Sequence, residues 1–228
     1  MKNIKEKISI VIPTLNEEKN LPILFSNLRK SLNGRRYEII IADGYSTDRT
    51  IEIAKRYGAK VLFDNKGKGS AIKKGVSSAR YDTVVIMDAD CSNLPDEMVS
   101  LIKTINNGYD ICMGSRFTNG GFSEDISWYR KIGNKFFIHL VNFFWKTNYT
   151  DLCYGYRCFA KSSFEKLHLK SDGFGIETEL SIKVAKKKLK FIEIPSFEKK
   201  RRYGEGKLKT MKHGFEILMV ILNELLTN

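Results

Sequence analysis

Short β-branched runs alternate with segments of helical period through the first hundred residues, and that alternation leaves few folds open. Residues 8–12 (Ile-Ser-Ile-Val-Ile) read as a buried strand stopped by Pro13, and 37–42, 60–63 and 83–87 read as three more. Between them, 17–32, 48–57 and 69–79 carry helical patterns. Strands alternating with helices imply βαβ crossovers, hence an α/β fold with a mainly parallel central sheet flanked by helices. Ligands of such sheets bind beyond the carboxyl ends of the strands. The loops opening at Pro13, Asp43, Asp64 and Asp88 should therefore share one rim.

The second half is less regular. Residues 110–114 read as a strand, followed by the loop Asn119-Gly120-Gly121. Residues 125–146 read as a long helix with an apolar stretch at 136–145. A strand is expected at 155–160, a helix at 176–187, a strand at 191–194 and a closing helix at 208–226. No repeat, low-complexity segment or linker divides the 228 residues, a length that suits one domain with a full core.

Composition narrows the partners. The net charge of +13, from 39 Lys and Arg against 26 Asp and Glu, points to nucleic acid, an anionic membrane surface or phosphorylated substrates. No RNP-like, zinc-finger or helix-turn-helix signature accompanies the charge, so nucleic acid is not expected. Cys91, Cys112, Cys153 and Cys158 form no CxxC pair, and His139, His168 and His213 complete no zinc set. Reduced thiols in a cytoplasmic protein are the expectation. The first residues run straight into a strand pattern, with no signal peptide to read. The longest apolar run, near 215–222, falls short of the roughly 20 residues a bilayer requires. A soluble chain, at most peripheral on the cytoplasmic membrane face, follows.

Asp88-Ala89-Asp90 ends the fourth strand. Two carboxylates one residue apart at a strand end reach a single hard cation, and Mg²⁺ or Mn²⁺ favours such oxygen ligands. A metal there would neutralise charge on a departing nucleotide diphosphate. Asp43 and Gly44 follow the second strand, where the Asp can accept from a base or a ribose hydroxyl, or merely hold its turn. Asp48 reads as a helix cap. Glu17 either caps its helix or binds ribose. Asn65-Lys66-Gly67-Lys68-Gly69-Ser70 places two glycines and two lysines before a helix, an arrangement that suits phosphate but lacks P-loop spacing.

Together these segments resemble glycosyltransferase family 2, across roughly residues 8–210. The resembling pieces are Ile10-Val11-Ile12-Pro13-Thr14-Leu15-Asn16-Glu17-Glu18, Asp43-Gly44-Tyr45-Ser46-Thr47-Asp48-Arg49-Thr50, Lys66-Gly67-Lys68-Gly69 and Met87-Asp88-Ala89-Asp90. Within that family the chain looks similar to the polyprenyl-phosphate (dolichyl-phosphate) sugar transferases. The supporting pieces are Gly114-Ser115-Arg116, Asp151 with Gly155-Tyr156-Arg157, and Arg202-Tyr203-Gly204-Glu205-Gly206-Lys207. The resemblance implies a single GT-A domain, with 1–115 as a nucleotide-binding half and 116–228 as an acceptor-binding half closed by an amphipathic helix. It implies a nucleotide diphosphate sugar donor and a polyprenyl or dolichyl phosphate acceptor. Pro13, Thr14, Leu15, Glu17, Asp43 and Gly44 would hold the nucleoside, Lys68 and Gly69 would complete its pocket, and Asp88, Ala89 and Asp90 would place metal and diphosphate. Arg116 and Arg130 would meet the acceptor phosphate, and Arg202 the diphosphate. Asp151 joins Asp88, Asp90 and Arg202 in the expected catalytic set. The chain departs from the pattern at Gly206, where a serine is usual, and at Ser92, where some relatives place a glutamine metal ligand.

A rival within the enzymes is transfer to a hydroxyl of a soluble sugar. That chemistry needs a base near the anomeric carbon, and Asp151 or Glu177 would supply it. The stripe Leu208, Met211, Phe215, Leu218, Leu222, Leu225 has helical spacing and is expected to pack on the sheet or a partner, with membrane contact as the other reading. The apolar stretch 136–145, preceded by Lys131 and Lys135, suits a lipid interface in the same way.

Overall fold

The chain runs β1 (Lys7–Thr14), α1 (Leu21–Ser31), β2 (Arg36–Asp43), α2 (Thr50–Arg56), β3 (Lys60–Phe63), α3 (Lys68–Ser77) and β4 (Thr83–Ile86). It continues through α4 (Met98–Asn106), β5 (Ile111–Ser115), β6 (Phe122–Ser123), α5 (Trp128–Trp145), β7 (Arg157–Ala160) and α6 (Lys161–Glu165). It closes with α7 (Ile176–Lys186), β8 (Phe191–Pro195), β9 (Phe197–Glu198) and α8 (Thr210–Leu226). This computed structural model describes residues 7–207 and 209–227; Leu208, the first member of the expected stripe, lies outside them.

Seven strands form one sheet in the order β3-β2-β1-β4-β7-β5-β8, and β6 pairs separately with β9. Neighbours are parallel throughout except at β7, which runs antiparallel to both β4 and β5. The fold is α/β with a mostly parallel sheet, as the alternation requires. Both faces are covered, which is why the central strands read as near-continuous apolar runs. Ile8, Ile10 and Ile12 of β1 face α1 and α4, packing with Leu24, Leu28 and Leu101. Val11, one residue out of phase, faces α3 and packs with Ile72 and Val76.

The approach of α3 to β1 depends on Gly75. A Cβ there would lie 2.4 Å from Val11 Cγ1, and Val11 is fully buried. Gly75→Ala is expected to destabilise the fold by about 1–2 kcal/mol, the overpacking cost exceeding the helix-propensity gain. A denaturant midpoint measures it.

Several boundaries differ from expectation. β1 runs through Pro13 to Thr14, which pair with Ala42 and Asp43 of β2. Pro13 ends only the pairing with β4: the Val11 carbonyl accepts from Met87 N–H, and two residues on Pro13 has no N–H to continue the ladder. The chain after β4 is thereby released into the acidic triplet. α1 begins at Leu21 rather than Glu17, after a turn in which Asn20 and Leu21 N–H both meet the Glu17 carbonyl. α5 stops at Trp145 with Lys146 in the left-handed region (φ 51°). α4, the 3-10 turn Pro95–Glu97 before it, α6 and the β6–β9 pair have no counterpart in the sequence-based expectation.

Candidate functional site

The carboxyl ends of β1, β2, β3 and β4 open into a cleft of about 720 Å³. Pro13, Thr14, Leu15, Glu17, Gly44, Asp64, Lys68, Asp88, Ala89 and Asp90 line it, so the shared rim forms as the topology demands. Arg116 and Arg130 also border it, as do Ile132 and Phe137 of α5 with Met211 and Ile217 of α8.

Asp43 lies beneath this surface rather than on it. It is fully buried and accepts from the Thr14 hydroxyl at 2.7 Å, the Ser46 N–H at 2.6 Å and the Ser46 hydroxyl at 2.7 Å. Its carboxylate thus ties the β1 end to the loop after β2 and shapes the pocket that Thr14 and Gly44 line. Asp48 accepts from the Thr50 N–H at 2.9 Å and the Glu18 N–H at 3.1 Å, capping α2 and pinning the neighbouring loop.

The acidic triplet already carries two internal cations. Lys68 Nζ, at the first residue of α3, lies 2.9 Å from Asp88 Oδ1 and 2.9 Å from Glu177 Oε1. Burial opposes the Lys68 charge, but the two carboxylates outweigh it and hold the ammonium well above its usual range. Arg201 places one nitrogen 3.0 Å from Asp90 Oδ2 and another 3.0 Å from Glu17 Oε1. Burial and the neighbouring Asp88 charge push the Asp90 carboxyl upward, with Arg201 opposing. Ser92 meets Asp90 through its backbone N–H at 3.0 Å. The glycines flanking Lys68 serve packing. A Cβ on Gly67 or Gly69 would meet the backbone of residues 171–173 at 2.5 Å, and Gly69 is buried away from the cleft. The Ser70 N–H donates to the Asp172 carbonyl at 3.0 Å, so this helix start is already engaged.

Arg116 follows β5 and is 7% exposed. Its Nε lies 2.7 Å from Asp151 Oδ2, its Nη2 2.9 Å from Asp151 Oδ1 and its Nη1 3.1 Å from Glu198 Oε2. The Tyr154 ring sits 4.8 Å from the guanidinium carbon. Asp151, at 1% exposure, also accepts from Asn134 Nδ2 at 2.8 Å. Asp151 is therefore the buried holder of Arg116 and does not line the cleft. Arg130 Nε donates to the Thr210 hydroxyl at 3.3 Å, joining the start of α5 to the start of α8. His213 packs on Phe174 at 4.3 Å, and burial holds its imidazole below the usual range.

Arg202 points elsewhere. Its backbone N–H donates to the Asp90 carbonyl at 3.2 Å, while its side chain borders a separate cavity of about 280 Å³ with Lys199 and Lys200. Arg201, Glu198 and Asn134 were absent from the sequence-based site. Arg201 was visible as one of four consecutive cations, but composition does not say which of them turns inward.

Comparison with known proteins places this geometry. The chain is 37% identical over 211 residues to a dolichol-phosphate mannosyltransferase of Pyrococcus furiosus, covering 89% of this chain and 59% of that enzyme's length. It is 28% identical to the glycosyltransferase AglJ of Haloferax volcanii, covering 98% of this chain and 73% of that protein. A glucosyl-3-phosphoglycerate synthase of Mycobacterium tuberculosis, solved with Mn²⁺, UDP and glucosyl-3-phosphoglycerate, superposes with a TM-score of 0.75 at 19% identity. That match covers 96% of this chain and 79% of the synthase, and it shows the shared GT-A fold. The glycosyl transferase family 2 model matches residues 9–168, which include the whole rim from β1 to the acidic triplet and Asp151. With that match over more than half its length, the chain belongs to glycosyl transferase family 2.

Proposed function

We propose that this chain transfers a hexose, with inversion, from a nucleotide diphosphate sugar of the GDP-mannose or UDP-glucose type to a polyprenyl or dolichyl phosphate. The state of the two candidate bases carries this reading. Asp151 is committed to Arg116 and buried, and Glu177 is bound to Lys68. A hydroxyl acceptor needs a base, whereas a phosphate is already anionic near neutral pH and needs only positioning and charge stabilisation. The cleft supports the same acceptor, since the carboxylates, Arg130 and apolar side chains of α5 and α8 all line it. Such a substrate puts the enzyme at the cytoplasmic face of a membrane.

Asp88 and Asp90 are hard oxygen donors; burial, and after it the Asp88 charge, raises the Asp90 carboxyl, and a divalent cation suits that pair. They would hold Mg²⁺ or Mn²⁺, which would supply Lewis-acid stabilisation of the leaving diphosphate. Among the described residues no third His, Cys, Asp or Glu completes a protein-only site, so the diphosphate oxygens would fill the remaining positions. Pro13, Thr14, Leu15, Glu17 and Gly44 would line the nucleoside, with Asp43 holding their loop. Lys68 and Arg201 would meet the diphosphate. Residues 1–115 would thus serve mainly the donor and 116–228 the acceptor.

A thermal-shift panel of GDP and UDP with and without Mn²⁺ tests the donor end, since a ligand binding only the native state raises its stability. Turnover on polyprenyl phosphate against soluble sugars tests the acceptor. Turnover on sugars alone would overturn the proposal. Arg130→Ala is expected to raise the acceptor KM or lower kcat by roughly ten- to a hundredfold, leaving nucleotide affinity unchanged. Arg116→Ala is a poorer probe, because it strands Asp151 without its partner.

A further inference from the structure

α5 and α8 each bury one apolar face and expose a second. On α8, His213, Ile217 and Ile221 point inward, while Met211, Phe215, Met219, Leu222 and Leu226 point to solvent, 39% to 87% exposed. Their steps of three or four residues align them along the outer side of the helix. On α5, Phe137 and Val141 are buried, whereas Ile132, Phe136 and Phe143 are 53% to 77% exposed and Trp128 is 74% exposed at its start. The helices touch each other. Their outer faces converge at the cleft, which exposed Ile132 and Met211 both line. Contiguous exposed apolar surface of this kind marks an interaction site. Exposed lysines border it: Lys131 and Lys135 on α5, Lys212 on α8 and Lys209 just before it.

We propose that this two-helix surface docks on an anionic phospholipid bilayer, with the aromatic and methionine side chains among the headgroups and the lysines on lipid phosphates. Among the described residues no helix is long and apolar enough to cross a membrane, so the helices would lie in the interface plane. Charge selects lipid over a second copy of this chain. A two-fold pairing would set the same patch against itself and bring Lys131, Lys135 and Lys212 against their own counterparts. An anionic surface instead attracts every one of them. Docking would open the cleft onto the membrane. The inference extends the proposed lipid acceptor, yet no step of the reaction enters it.

The experiment is flotation of the whole chain with phosphatidylcholine vesicles, with and without phosphatidylglycerol, followed also by tryptophan emission. Trp128 and Trp145 are the only tryptophans, and exposed Trp128 should shift to the blue on binding. Binding is expected only with the anionic lipid. Lys135→Gln with Lys212→Gln should weaken it by about thirtyfold, from the attraction each basic residue gains near such a surface. Phe215→Ser with Leu222→Ser should weaken it at least as much, with the melting temperature and the nucleotide-induced thermal shift unchanged. Equal binding of either double variant, equal binding to neutral vesicles, or a dimer that Phe215→Ser with Leu222→Ser dissociates would overturn the proposal. Vesicle binding without turnover on polyprenyl phosphate would count against the acceptor, not against the docking.

Discussion

Asp90→Ala is expected to lose turnover by about a thousandfold or more while melting at or above the native temperature. The loss follows from removing one of the two oxygen donors proposed for the cation, whose stabilisation of leaving-group charge would amount to several kcal/mol. The stability follows from linkage. Burial and Asp88 raise the folded-state carboxyl of Asp90 above its unfolded value, with Arg201 only partly opposing. A group shifted that way favours the fold when protonated, and the contribution fades as pH rises through the folded value. At neutral pH the ionised side chain therefore costs stability, so its removal should not. Calorimetry of the variant beside donor-hydrolysis and transfer assays with Mn²⁺ checks both halves. Full activity in the variant, or in EDTA, would sink the metal role of this pair.

Asp151→Ala is expected to do the opposite, unfolding the protein before any catalytic role can be read. The substitution removes two charged contacts from Arg116, itself 7% exposed, and leaves a buried cation with Glu198 alone. Breaking a buried pair from one side costs about 3–5 kcal/mol. In a chain of this size that lowers the melting temperature by roughly 6–20 °C. A general base would behave differently, losing kcat with its fold intact. Thermal unfolding of Asp151→Ala beside Glu177→Ala separates the two roles. An Asp151→Ala protein that melts normally and is inactive would restore Asp151 as a base.

The rim at the carboxyl ends of β1 to β4 was legible because its signal is local. Buried parallel strands expose themselves as apolar runs, and their carboxyl ends follow from the βαβ rule without knowledge of any side chain. Direction was not legible. A strand-end aspartate reads alike whether it faces solvent, as Asp88 does in part, or turns under the loop, as Asp43 does. Asp151, in the loop before β7, spends both oxygens on a residue 35 positions away, which no periodicity reports. The basic run from Lys199 to Arg202 shows only charge in the sequence; in the fold Arg202 N–H meets the Asp90 carbonyl and the Arg201 side chain enters the cleft. The long helices α5 and α8 were legible as amphipathic, yet their second, outward apolar stripe overlapped the inward one in the sequence. The two-residue strands β6 and β9 are too short to carry a period at all.

The place of β7 in the sheet has a consequence for how this chain can be made and inherited. β5 ends at Ser115, yet its only neighbours in the sheet are β7 and β8, both formed from the second half of the chain. A fragment cut after residue 115 would hold a strand buried along its whole length in the intact fold with nothing to pair, and β4 would keep a bare edge. During synthesis both must wait until at least Ala160 has emerged, a long-range closure of the kind that slows folding and leaves a strand open to other chains. The stretches 1–115 and 116–228 are consequently not exchangeable cassettes. A recombination that swaps the second stretch for another has to carry β7 and β8 with it, in register, or the new chain inherits a sheet it cannot close.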